Sequence, residues 1–85
     1  MKGLTINEMR NEIKRIKFAL LELPIEQNLA VLRRMDELLL HSGVNTTKSG
    51  NVRYYLPKRA TKAQVEDYLT QYINALYDCG LGHLA

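Results

Sequence analysis

The chain has no tryptophan, one phenylalanine, one cysteine and two prolines in 85 residues. A lone cysteine, Cys79, excludes an intrachain disulfide and fits a reducing compartment better than a secreted scaffold. The opening MKGLTINEMRNEIKR has no apolar stretch of signal-peptide length. No run approaches the ~20 apolar residues that cross a bilayer. The expected location is the cytoplasm, with no membrane partner.

Catalytic groupings are also missing. His41 and His83 stand far apart, with Ser42 beside one and Asp78 and Cys79 upstream of the other. No spacing joins a nucleophile, a base and an orienting group. Asp78-Cys79 with His83 offers too few ligands for a structural zinc site, and no glycine-rich phosphate loop occurs. No enzyme activity, cofactor or metal is therefore expected. His41 reads as a helix-terminal histidine, His83 as a mobile tail residue and Cys79 as a small, partly buried cap residue.

What the chain does hold is 46% hydrophobic residues, enough for one small core. A chain of this length buries about 60% of the surface it exposes when unfolded. Self-association is one way to extend such a core, so a homodimer is an expected option.

Charge is unevenly spread. Residues 1 to 43 carry seven basic and six acidic side chains, a net of +1; residues 44 to 62 carry five and none; residues 63 to 85 carry none and three. The basic character thus lies in the middle of the chain.

Helix punctuation is clear at three places. Leu4-Thr5-Ile6-Asn7-Glu8-Met9 places threonine at an N-cap, glutamate three residues on, and apolar residues at both staple positions. Ile6, Met9, Ile13, Ile16, Leu20 and Leu23 then recur at helical spacing, with Arg10, Lys14 and Lys17 as a basic stripe elsewhere on the helix. Leu23-Pro24 reads as a boundary, because the residue before proline avoids the helical region while proline suits a first turn. The second helix offers Ile25, Leu29, Leu32, Met35, Leu38 and Leu39 to a core, with Arg33 spaced to meet Asp36 or Glu37. Gly43 followed by Val44 is its expected stop. Thr61-Lys62-Ala63-Gln64 is a second capping box. Val65, Tyr68, Leu69, Tyr72, Ile73 and Leu76 form a broad apolar face, closed at Gly80-Leu81.

Between the second and third helices the helical period fails. Val52, Tyr54 and Leu56 alternate with Arg53 and Tyr55, as in a half-exposed strand, and Ser49-Gly50-Asn51 can turn the chain. The expected fold is mainly α: a three-helix domain, built as a helical hairpin plus a C-terminal helix, with a small β hairpin or extended basic loop before the last helix. The expected bounds are helices at about 5–23, 24–42 and 61–79, a loop or hairpin at 44–60 pairing residues 44–47 with 52–56, and a tail at 80–85.

This layout suggests a small regulatory or accessory protein that acts by macromolecular binding. Lys48, Arg53, Tyr55, Lys58, Arg59 and Lys62 combine cations that displace counterions from phosphates with an aromatic ring able to stack on an unpaired base. Arg10, Lys14 and Lys17, or alternatively Arg33 and Arg34, extend that footprint if they lie beside the loop. Ribbon-helix-helix and helix-turn-helix readings fail, since one helix follows the ribbon and the link from helix two to helix three is too long. The other reading is a protein adaptor or inhibitor using apolar surplus at Phe18, Leu21, Leu38-Leu39-Leu40 and Tyr77.

Overall fold

A computed structural model of the chain describes residues 3–40 and 58–85. Three helices run at Ile6–Leu21 (α1), Ile25–Leu40 (α2) and Lys62–Asp78 (α3), followed by a 3₁₀ turn at Gly82–Leu84. The expected hairpin of residues 44–56 and the Gly43-Val44 stop lie outside the described residues. Among the described residues there is no strand, and no helix is long and apolar enough to cross a membrane.

α1 begins as its sequence dictates. The Thr5 hydroxyl oxygen accepts from the Glu8 amide at 3.1 Å, and the Thr5 amide donates to Glu8 Oε1 at 3.0 Å. Two donors that a helix start leaves free are thereby satisfied. Leu4 packs on the core beneath this cap, and Met9, Ile13, Ile16 and Leu20 are buried. Ile6 is exposed, contrary to expectation. At about 100° per residue it sits about 50° off the axis of that seam.

Leu23 and Pro24 separate two helices. The amides of Glu22 and Leu23 close α1 on Ala19 and Leu20, while the Pro24 carbonyl accepts from Gln27 and Asn28 and starts the α2 ladder. Proline thus stands where its missing donor is not needed.

α3 is the shared wall of the core, because α1 and α2 each pack more extensively on it than on one another. It buries Val65, Tyr68, Leu69, Tyr72, Ala75 and Leu76, each large side chain contributing roughly 1.5–3 kcal/mol. Tyr68 and Tyr72 meet edge to face, with centroids 5.7 Å apart. Burial, with the charge of Asp36 as a lesser cause, pushes both phenols above their ordinary pKa; in Tyr72 the neighbouring Tyr68 adds to this.

Packing against α3 also decides how α2 is rotated. Val31, Met35 and Leu39 are buried, whereas Ile25, Leu29 and Leu32, expected in the core, are exposed. Leu29 lies about 120° around the helix from the buried seam, too far to reach α3. The same rotation corrects the ion pairing. Arg34, not Arg33, meets Glu37, with Nη1 to Oε2 at 2.9 Å, while its Nε reaches Asp78 Oδ2 at 2.9 Å. These two carboxylates hold the guanidinium above its ordinary pKa, with Asp78 the larger cause.

α3 closes on glycine as expected. Gly80 adopts a φ of 74°, the Leu81 amide donates to the Leu76 carbonyl at 2.7 Å, and the Gly80 amide donates to Tyr77 at 3.1 Å. This is the Schellman pattern, with Cys79 as the half-buried C-cap. The tail beyond, expected as a mobile end, makes contacts with the core. Leu81 and Leu84 pack on the core, and Arg15 Nη1 donates to the Leu84 carbonyl at 2.9 Å. His83 stays exposed within that turn.

Candidate functional site

Helical spacing puts Arg10, Lys14 and Lys17 on one flank of α1, about 100° around the helix from the axis of the buried seam. Lys58 and Arg59 occupy an exposed turn, and Lys62 is the first residue of α3. Arg10 joins the two sets: its Nη2 donates to the Lys58 carbonyl at 3.0 Å. The α1 stripe therefore lies beside the chain that enters α3. Sequence separation hides this neighbourhood, because 48 positions part the two residues.

The basic residues divide by occupation. Arg15 is held by Glu12, with Nη2 to Oε2 at 3.0 Å, and by the tail carbonyl of Leu84. Arg34 is held by Glu37 and Asp78. Lys17 lies with its ammonium 5.9 Å from the ring centroid of Tyr68, a cation–π contact that anchors one end of the stripe. By contrast, Lys14, Lys58, Arg59 and Lys62 are exposed and make no ion pair among the described residues.

A shallow groove runs along the stripe, lined by Asn7, Arg10, Asn11, Ile13, Lys14 and Lys17. Its lining combines amide donors and cations with one apolar side chain, a surface suited to a phosphate-bearing chain. The start of α3 adds to the positive field. Its first turn contains no acidic residue, so the positive end of the helix dipole stands unopposed beside Lys58, Arg59 and Lys62. The Thr61 hydroxyl oxygen accepts from the Gln64 amide at 3.2 Å, and the Thr61 amide donates to Gln64 Oε1 at 2.8 Å. That capping box fixes where the three cations leave the turn.

Lys48, Arg53 and Tyr55 lie outside the described residues. Arg33 is exposed on α2, and its neighbour Arg34 is committed to carboxylates. Among the described residues no group of three or more His, Cys, Asp or Glu side chains is placed to hold a metal ion.

A second surface is apolar. Phe18 and Leu21 are 69% and 71% exposed on α1, and Ile25 is 66% exposed at the start of α2. Leu29 and Leu32 continue from Ile25 along one face of α2, and a groove lined by Lys17, Leu20, Leu21, Asn28, Leu32 and Tyr72 joins the two helices. The surplus at Phe18 and Leu21 was legible in the sequence; the exposure of Ile25, Leu29 and Leu32 was not, since their spacing also suits a core. Leu39 is buried and Leu38 is half-buried, and the side chain of Leu40 lies outside the description. Tyr77 is exposed, with one side of its ring against Gly82.

Comparison with protein-family models, curated proteins and solved structures gives no match.

Proposed function

We propose that this protein is a non-enzymatic regulatory or accessory factor that binds nucleic acid through one basic face. That face comprises Arg10, Lys14 and Lys17 of α1 with Lys58, Arg59 and Lys62 before and at the start of α3. Lys48, Arg53 and Tyr55, outside the described residues, are proposed as further contacts on their side-chain chemistry alone. The Arg10–Lys58 hydrogen bond is the observation that supports this most, since it unites two basic sets that the sequence keeps apart.

The recognition is electrostatic first. Each cation that neutralises a phosphate releases condensed counterions, so affinity falls with salt in proportion to the number of contacts. Lys14, Lys58, Arg59 and Lys62 need break no internal ion pair among the described residues to take part. Tyr55 supplies a ring for stacking on an unpaired base, which favours single strands over duplex.

The test is binding of fluorescent single-stranded and duplex oligonucleotides across a salt series. The expected result is a steep loss of affinity with salt, tighter binding of the single strand, and abolition by replacement of Arg53, Lys58 and Arg59 together with helicity unchanged. No binding at low salt, or equal binding by the triple variant, would overturn the proposal.

A further inference from the structure

Phe18 and Leu21 are spaced i and i+3 on α1, and Ile25, Leu29 and Leu32 are spaced i, i+4 and i+7 on α2, so each set forms one stripe. The groove that Leu21 and Leu32 both line makes the stripes neighbours. At about 200 Å² for a fully exposed large apolar residue, these five present on the order of 600 Å². That is most of the ~800 Å² that each partner contributes to a standard interface, and it stands at the top of the roughly 300–600 Å² span of the largest apolar patch on a typical monomer.

The charges beside the α2 stripe indicate what covers it. Glu26 and Arg33 lie seven positions apart on the same flank, both exposed and neither in an ion pair among the described residues. Two antiparallel copies of α2 related by a two-fold axis bring together positions whose numbers have a constant sum. Centring the axis between Leu29 and Ala30 sets Glu26 opposite Arg33 of the second copy, and Arg33 opposite Glu26. Ile25 then faces position 34 of the second copy, two residues from its Leu32, and the two Leu29 side chains meet near the axis. The axis that pairs the charges and the axis that pairs Ile25 with Leu32 lie one residue apart, about 1.5 Å along the helix, a shift that long side chains span, so one two-fold arrangement serves both sets.

We infer that the Phe18–Leu21–Ile25–Leu29–Leu32 face is the interface of a two-fold homodimer in which α2 packs antiparallel on α2, flanked by two Glu26–Arg33 ion pairs. This inference is independent of the nucleic-acid reading. If both hold, the dimer carries two copies of the basic face, and binding both on one strand raises the apparent affinity without a new contact.

Sedimentation equilibrium of the intact chain over a concentration range up to roughly 0.1 mM tests it. The expected mass is that of a dimer, and Leu29→Glu gives a monomer whose circular dichroism is unchanged in dilute solution. Ile25→Lys serves the same purpose should Leu29→Glu fold poorly. Glu26→Arg and Arg33→Glu each weaken association several-fold, and the double variant E26R/R33E restores it, which general stickiness cannot mimic. A wild-type chain that is monomeric throughout overturns the proposal. So does a dimer that survives Ile25→Lys, or single charge variants that the double variant fails to rescue. Oligonucleotide binding by a monomeric wild type would leave the basic face standing while removing the dimer.

Discussion

Arg10 Nη2 donates to the carbonyl oxygen of Lys58 at 3.0 Å, tying the middle of the first turns of α1 to the chain that leads into α3. A planar guanidinium with several fixed donors suits this work better than an ammonium, which presents a point charge on a flexible stem. Arg10→Lys is therefore expected to lower stability by about 1 kcal/mol in urea denaturation, the usual net value of one hydrogen bond, although its charge is kept. Lys14→Gln removes a charge that makes no ion pair among the described residues and should shift stability by less than about 0.5 kcal/mol. In oligonucleotide titrations the outcomes reverse: Lys14→Gln should reduce the salt slope by about 0.7–0.9, while Arg10→Lys retains it.

The two capping boxes differ in one atom type, and that difference predicts a pH response. In α1 the carboxylate of Glu8 accepts from the Thr5 amide, and that bond, with a smaller contribution from the Thr5 side chain, holds the Glu8 carboxyl below its ordinary pKa. A lowered folded pKa means that the stabilisation is present above the unfolded value and is lost as pH falls through the folded one. In α3 the equivalent acceptor is the Gln64 amide oxygen, which does not titrate in this range. Acidification should fray the first turn of α1 and leave that of α3 intact, read as loss of amide-exchange protection at Glu8 and Met9 but not at Gln64 and Val65. Glu8→Gln should remove that difference. Equal fraying of both helices would show that the cap carboxylate is not its origin.

The structure divides α2 into a buried seam and an exposed stripe, and single substitutions can tell them apart. Met35 is 3% exposed, so Met35→Ala removes buried atoms and leaves a void, with an expected loss of about 2–5 kcal/mol. Ile25→Ala, measured in protein dilute enough to be monomeric, should change stability by less than about 0.5 kcal/mol. Chemical denaturation of the pair checks this. Comparable losses would mean that α2 is rotated toward the face that the sequence alone favours.

That contrast marks the limit of what the sequence revealed. Features fixed by neighbours within a few residues were legible: the Thr5–Glu8 and Thr61–Gln64 boxes, the Pro24 boundary, the Gly80-Leu81 closure and the seam from Met9 to Leu20. α2 resisted because eight large apolar residues, Ile25, Leu29, Val31, Leu32, Met35, Leu38, Leu39 and Leu40, cover much of its circumference. Periodicity then admits more than one buried stripe, and only the wall that α3 provides selects Val31, Met35 and Leu39. Misplacing the stripe also misplaced the ion pair, giving Arg33 the role that Arg34 performs. For the candidate site, the residue types were readable but their adjacency was not, since a bond such as Arg10 to Lys58 has no local signature.

Two glycines near the end of α3 are needed for different reasons, and alanine separates them. Gly80 holds a φ of 74°, yet a methyl group there would meet nothing within 4 Å. Gly80→Ala therefore costs conformational energy alone, about 1–2 kcal/mol, and Gly80→Asn should recover part of it because asparagine tolerates the left-handed region. Gly82 lies outside the left-handed region, but its added methyl would come within 2.5 Å of the Tyr77 ring. Gly82→Ala must therefore displace an exposed aromatic side chain, and the loss should vanish in a Tyr77→Ala background. Gly80→Ala should lose the same stability in either background, because no side chain stands in its way. Thermal denaturation of the six proteins, three glycine-site sequences with and without Tyr77→Ala, checks the cycle. A Gly82→Ala loss that persists without the ring would show that backbone freedom, rather than ring contact, selects glycine at that position.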